Sequence, residues 1–321
     1  MTIEQPWGGP VNASMVTRLM TNAKLLQALD NVPVDGVPWG NVSVLRLDLF
    51  DALAPGNKWF KLQAHLARAR AQGADRLVSF GGAWSNHLHA LAALGKQEDV
   101  ATVGIVRGDD GGELSATLRD CRDWGMELIF VSRSEYRRRH DPDYLAQLAT
   151  RFHRSLLIPE GGGSSEGVAG CIRIGRILAE CQSRAGRVVV AVGTGTTLAG
   201  IAIGLGAGWD IFGVSALKGA ADLEDRITAA IENSDETRAV ARWELLHDDH
   251  CGGFARVTPA LKRFMLDFEA VHQVPLDHVY TGKALFAVHR LRRTGIWAAE
   301  DPVTVIHTGG LQGRRGVDWL S

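Results

Sequence analysis

Apolar residues run together in six short stretches, at residues 77–80, 101–106, 127–131, 187–192, 211–215 and 302–306. Within each stretch the apolar positions are continuous rather than alternating, the pattern of a strand buried on both faces. Between them the spacing turns helical, and residues 60–72, 113–124 and 166–184 gather their apolar side chains on one face. Buried strands alternating with amphipathic helices predict an α/β protein with a parallel sheet flanked by helices. No internal repeat or low-complexity tract interrupts the pattern, and no linker is long enough to fix a domain boundary.

Composition acts on this picture by exclusion. A chain of 321 residues is long enough for about two domains at roughly 150 residues each. Thirty-five basic against 36 acidic side chains give a net charge of -1, which argues against a nucleic-acid or membrane-surface protein. No apolar run reaches the roughly 18 residues of a membrane span. The opening MTIEQPWGGP lacks the basic start and apolar core of a signal peptide, so a cytoplasmic protein is expected. Cys121, Cys171, Cys181 and Cys251 are too few and too dispersed for a disulfide framework and are expected to be reduced. HDDH at 247–250 offers two histidines without a third ligand, so no metal is predicted and the segment reads as a polar loop. RRRH at 137–140 reads as a solvated helix face.

Open α/β sheets bind ligands where strands end and loops lead into helices. Candidate loops are GNK at 56–58, GGAWSNH at 81–87, GTGTT at 193–197 and HTGG at 307–310, while VYTGK at 279–283 reads as a further strand end opening a helix. In the third loop Gly193 and Gly195 let backbone N–H groups converge on an anion, and Thr194, Thr196 and Thr197 add hydroxyl donors at a helix start. It is neither a Walker loop, which needs a lysine, nor a dinucleotide fingerprint, which needs glycine where Leu198 stands. The same residues would also suit a tight, helix-capping turn. An oxidoreductase using this loop would need an acidic residue after residues 211–215, where Ala216, Leu217 and Lys218 follow instead.

Lys58 and Lys61 open a helical pattern, with turn-forming residues before Lys58 and the aromatic Trp59 and Phe60 after it. A lysine at the edge of an apolar pocket loses affinity for its proton and becomes a nucleophile or Schiff-base partner. Ser85 either caps the helix that follows it or takes part in chemistry. His87 adjoins Asn86 and is expected to line the site, whereas His89 is expected to pack.

A Schiff-base lysine, a phosphate cup without a Walker lysine and an aromatic to cover a planar ring together describe a pyridoxal phosphate site. The ordered motifs GNKxxKL, SFGGxxSNH, GTGTT, VYTGK and HTGG resemble the ACC deaminase/D-cysteine desulfhydrase family of pyridoxal enzymes, over about residues 45–310. That resemblance implies the tryptophan-synthase-β-like, type II fold, with two open, twisted, mostly parallel sheets. A large domain of residues 1–63 and 160–321 would carry a smaller inserted domain of residues 64–159, and the protein would be a homodimer. It further implies that Lys58 bonds the cofactor, Asn86 the ring hydroxyl, and residues 193–197 the phosphate. Tyr280 would stack on the ring, Ser85 would contact the substrate carboxylate or move a proton, and Lys61 would lie close by.

Thr281 and Thr308 stand where the deaminase branch has glutamate and leucine, which resembles the desulfhydrase pairing. A hydroxyl beside the pyridine nitrogen leaves the ring nearer neutral, enough for eliminating a good leaving group. The activity implied is α,β-elimination from a small amino acid, D-cysteine giving pyruvate, sulfide and ammonia. Deamination of 1-aminocyclopropane-1-carboxylate is the rival, and a non-catalytic pyridoxal-binding protein the third reading. Phe254 is the nearest match to a substrate-contacting tyrosine of the family and lacks its hydroxyl. LQGRR at 311–315 also departs from the family's apolar continuation, and its arginines would either bind an acidic substrate group or lie in a solvated turn.

Overall fold

Two separate sheets take up the apolar runs. The computed structural model describes residues 25–109, 112–182, 184–236 and 239–320, so the opening decapeptide lies outside the described residues. In chain order the strands are β1 Leu26–Ala28, β2 Val42–Arg46, β3 Arg76–Gly81, β4 Ala101–Arg107, β5 Glu127–Val131, β6 Ser155–Ile158, β7 Arg187–Val192, β8 Asp210–Ser215, β9 Arg242–Leu246 and β10 Val303–His307. One sheet has six strands in the order β1-β2-β10-β7-β8-β9, the other four in the order β5-β4-β3-β6. Every pairing is parallel except β1 with β2. In the larger sheet Val303 pairs with Val42 on one side and Arg187 on the other, so β10 closes the gap between chain segments far apart in sequence.

All six predicted strands form, and five of them are buried along most of their length, while β5, at an edge of the smaller sheet, is mostly half-buried. Four others were not foreseen. β1 and β9 are sheet edges with mixed exposure, β6 spans only Ser155–Ile158, and β2 alternates Val, Ser and Val at its start.

The helices are α1 Asn57–Ala71, α2 Asn86–Glu98, α3 Ala116–Asp123, α4 Arg133–Arg137, α5 Pro142–Arg151, α6 Ser165–Cys181, α7 Thr196–Leu205, α8 Leu223–Glu232, α9 Pro259–His272 and α10 Thr281–Arg293. Most begin on a side-chain cap. Ser85, Ser115, Ser132, Asp141, Ser164 and Thr258 each accept a first-turn N–H, satisfying donors that the helix itself cannot. The cap at Ser115 is why the helix predicted from residue 113 starts at Ala116.

The strand expected ahead of VYTGK does not form. Residues 276–280 are turn and irregular backbone, because the buried carboxylate of Asp277 accepts the N–H groups of Val279, Tyr280 and Thr281 and starts α10 there. HDDH is likewise more than a polar loop: Asp249 is buried and holds Arg290 with two bonds, of 2.6 and 2.7 Å. Among the described residues, no helix is long and apolar enough to cross a membrane. Cys121 and Cys171 are buried thiols, and Cys181 and Cys251 half-buried ones, none of them in a disulfide among the described residues.

Helices α1, α6 and α7 pack close enough for backbone to touch backbone. A Cβ on Gly204 of α7 would lie 2.1 Å from the Ile172 carbonyl oxygen, and one on Gly170 of α6 would lie 2.0 Å from that of Phe60. These glycines let the three helices pack with their backbones in contact.

Candidate active site

The phosphate-type loop follows β7. Gly195 has φ +87°, and a Cβ there would lie 2.7 Å from Ile227 Cγ1, so both conformation and space exclude a side chain. Helix α7 then starts at Thr196 without a side-chain cap. Its first N–H groups and the positive end of its dipole therefore remain for an anion. Thr194 and Thr196 hydroxyls lie 3.1 Å apart, and Thr197 Oγ1 accepts a 2.8 Å bond from Asn57 Nδ2, tying the loop to α1.

Helix α1 also starts without a side-chain cap, at Gly56 with φ +91°. A Cβ there would sit 2.1 Å from the Thr308 carbonyl oxygen, and that same oxygen accepts the Asn57 N–H at 3.1 Å. This contact seats Lys58 beside the end of β10. Lys58 is half-buried as a residue, and its amine donates to Asn57 Oδ1 at 3.4 Å. Burial, then the Lys61 charge, lowers its pKa to about 7, with Cys171 and Asp277 acting weakly the other way. Lys61 is buried and its amine donates to the Gly161 carbonyl at 3.2 Å, so it faces the loop after β6. Desolvation lowers its pKa as well.

From the smaller sheet, the loop after β3 brings Ser85, Asn86 and His87. Ser85 Oγ accepts the Leu88 N–H at 3.2 Å, so it caps α2 whatever else it does. Asn86 Oδ1 accepts from Gln312 Nε2, and a Cβ on Gly310 would lie 2.7 Å from Asn86 Nδ2. His87 is buried with Nε2 at 2.8 Å from Ser79 Oγ, and Ser79 donates to the Ile158 carbonyl at 2.7 Å. Ser79 must then accept from Nε2–H, which leaves Nδ1 as the unprotonated nitrogen, buried and without a partner. Burial first, then the charges of Lys58, His65 and Lys61, hold His87 neutral. His89 packs away from this cluster, 3.0 Å from Asp120 and edge-on to Trp124.

Tyr280 and Thr281 enter from the start of α10. A Cβ on Gly193 would lie 3.4 Å from the Tyr280 ring, so the ring covers the phosphate-type loop at its first residue. Burial, then Asp277 and Glu160, pushes the Tyr280 hydroxyl pKa up. Thr281 is fully buried, and its Oγ1 has no hydrogen-bond partner. Thr308 is nearly buried beside Gly56. Phe254 stands apart on the rim, 54% exposed, with its ring 6.3 Å from that of Tyr280.

Several residues at the site were not foreseen. Asp277 positions Val279, Tyr280 and Thr281 by one backbone bond each, and an aspartate four residues before a helix start is a signal that could have revealed it. Asn57 braces Thr197, and Gln312 takes up the Asn86 amide. Arg139, read as part of a solvated face, instead bonds Glu160 at 2.6 Å, and Tyr136 bonds the other oxygen at 2.6 Å. The two arginines at 314 and 315 also have partners: Arg314 holds Glu269, and Arg315 crosses to Asp120 on α3.

A sequence profile described as that of pyridoxal-phosphate dependent enzymes matches residues 43–309. The chain belongs to that family. A protein of Pyrococcus abyssi, provisionally named 1-aminocyclopropane-1-carboxylate deaminase, is 26% identical over 283 residues, 85% of each chain. A Salmonella paratyphi A protein named D-cysteine desulfhydrase is 28% identical over 287 residues, covering 85% of this chain and 88% of its own. A crystal structure of an ACC deaminase homologue aligns over 92% of each chain, with a TM-score of 0.76 and 24% identity. The fold is thus the type II pyridoxal-enzyme fold, and the protein is a pyridoxal-phosphate dependent enzyme. The residues present fit the cofactor. The uncapped start of α7 suits a phosphate, and the buried, partnerless Thr281 hydroxyl needs a partner such as a ring nitrogen.

Proposed function

We propose that the protein eliminates the β-substituent of a small amino acid, with D-cysteine as the substrate the site suits first, to give pyruvate, sulfide and ammonia. The observation that carries this reading is Thr281, whose buried hydroxyl lacks a partner where a deaminase of this family has a carboxylate. The name of the Salmonella relative supports the same reading. Pyridoxal phosphate, when bound, supplies the electron sink for the charge left as the α-proton departs.

The chain's own residues do the rest. Residues 193–197 hold the phosphate, Asn86 the ring hydroxyl and Thr281 the ring nitrogen, while Tyr280 covers one ring face. Lys58 anchors the cofactor, and its amine, unprotonated above about pH 7, takes the α-proton. Lys61 keeps that amine neutral through its charge rather than by touching substrate. Ser85, the cap of α2, lies at the N-terminus of that helix, whose remaining first-turn N–H groups suit a substrate carboxylate. His87, held neutral, closes the apolar side of the cleft and admits no second positive charge. The inserted segment of residues 64–159, which contains all four strands of the smaller sheet, closes over the substrate and excludes water.

The names of the Pyrococcus relatives favour a second reading, deamination of 1-aminocyclopropane-1-carboxylate. One experiment separates the two. The protein, loaded with pyridoxal phosphate, is given D-cysteine, L-cysteine and the cyclopropane amino acid in turn, and 2-oxo acid and sulfide are measured. Sulfide with pyruvate from D-cysteine is expected; 2-oxobutanoate from the cyclopropane substrate alone would move the protein to the deaminase branch.

A further inference from the structure

The carboxyl edge of the larger sheet holds more than the phosphate-type loop. The next two loops along that edge follow β8 and β9, and between them lies a cavity of about 480 Å³ whose lining includes Lys218, Asp222, Arg226, Phe254 and Arg256. Ligands of open sheets gather at such strand ends. The cavity adjoins the candidate site, because Phe254 lines it and lies edge-on to Tyr280. The buried Lys283 amine fastens the bases of the two loops together, bonding the Gly253 carbonyl at 2.7 Å and the Ala216 carbonyl at 3.4 Å.

The loop after β9 takes an uncommon path. Cys251, Gly252, Gly253 and Ala255 have φ of 51°, 95°, 108° and 54°. Left-handed backbone at non-glycine residues persists only where the surroundings fix it, and it concentrates at ligand sites. This path sets Arg256 against Gly252 and Lys218 against Gly253, where added Cβ atoms would lie 3.2 and 3.3 Å from their side chains. Among the described residues, neither Lys218 nor Arg256 has an acidic partner, whereas Arg226 is paired with Asp222 at 3.1 Å. Across the cleft, Arg139 is paired with Glu160, and Arg107 lies 5.7 Å above the Tyr136 ring without an acidic partner. The two walls sense one another: Arg226 is among the charges that depress His140, and Glu160 among those that raise Tyr280. A chain of net charge -1 thus gathers unpaired cations at the mouth of its site.

We propose that Lys218 and Arg256 form an anion subsite for the β-substituent, so that the substrates extend to small amino acids whose leaving group carries its own negative charge. This rests on the elimination reading above and extends it past D-cysteine. With an O-sulfated serine, the Cα–H and Cβ–O bonds break and a Cα=Cβ bond forms. The proton passes to Lys58, and sulfate leaves with the Cβ–O electron pair. Water then hydrolyses the released 2-aminoacrylate to pyruvate and ammonium. No oxidant or reductant is needed.

The test uses the loaded full chain, serine O-sulfate in both configurations, and β-chloroalanine as a substrate that gives the same pyruvate from an uncharged substituent. In the Lys218→Gln, Arg256→Gln double variant, kcat/KM for the sulfate ester is expected to fall on the order of twentyfold, roughly fivefold per exposed cation, mostly through KM. β-Chloroalanine turnover and the cofactor absorbance band should stay within twofold. Equal losses on both substrates, or none on the ester, would overturn the subsite while leaving elimination intact. Absence of pyruvate from either substrate with the unaltered protein would instead sink the elimination reading, and this inference with it.

Discussion

The two sheets present opposite chemistry at their carboxyl edges. On the larger sheet, β7 and β10 end in glycine and threonine, and the close contacts there leave room only for glycine backbone: Gly56 against the Thr308 carbonyl, and Gly195 against the Ile227 side chain. On the smaller sheet, β3, β5 and β6 lead into side chains that brace one another, with His87 on Ser79 and Arg139 and Tyr136 on Glu160. A backbone site is damaged by adding an atom, a side-chain site by removing one. The cofactor's anionic end calls for the first kind, since backbone donors are fixed before anything binds. A substrate that must enter and leave calls for the second.

The largest loss should come from the one side chain on the backbone-built edge that cannot be replaced. Lys58→Ala should lower pyruvate formation by about a thousandfold or more, with the melting temperature little changed. Retained turnover would remove Lys58 from the reaction. Next comes a single added methyl group. Gly195→Ala must place a Cβ 2.7 Å from Ile227 at φ +87°, whereas Gly73→Ala, at φ +63°, meets nothing within 4 Å. Both lose about 1 kcal/mol or more of stability to the left-handed backbone, but only Gly195→Ala should weaken pyridoxal phosphate binding, by about tenfold or more in equilibrium dialysis. Equal affinities would mean that the loop does not hold the phosphate.

A smaller effect is read in pH. The Lys58 pKa is lowered to about 7, so the reactive neutral amine dominates above that value, where an ordinary lysine would remain protonated to 10.5. The rate at which cofactor-free protein captures pyridoxal phosphate should rise as pH passes 7 and then level off. Lys61→Gln removes a charge that lowers the Lys58 pKa, so the midpoint should move upward. A midpoint that stays in place would show that burial alone sets it. The smallest effect belongs to the clasp between the sheets. Arg315 and Asp120 are both partly exposed, and such pairs contribute about 0–1 kcal/mol. Arg315→Ala should therefore change the melting temperature by only a few degrees and alter KM more than kcat.

Legibility in the sequence followed burial. Strands β3, β4, β7, β8 and β10 announce themselves because both faces are covered, and β5 does so by its unbroken apolar run at residues 128–131 although it lies at an edge, whereas β1 and β9 lie at edges and mix polar with apolar positions. The phosphate-type loop could be read because its chemistry is local, five consecutive residues between a strand and a helix. What could not be read depends on partners distant in sequence. Gln312 meets Asn86, Asn57 meets Thr197, and Lys61 turns to Gly161. Likewise, the want of a partner at Thr281 Oγ1 is a property of the folded surroundings and has no trace in the motif VYTGK.

Strand β10 sits between β2 and β7, yet it is translated after both. During synthesis the smaller sheet can form early from neighbouring segments, while β2 and β7 wait with unpaired backbone and buried-type residues such as Val42, Val44, Val188 and Val190 still uncovered. Unpaired apolar strand edges are templates for aggregation, and parallel pairing across long separations is slow. The nascent chain is therefore most vulnerable just before its last strand emerges, and the yield of soluble protein is set by how well the cell shields that interval.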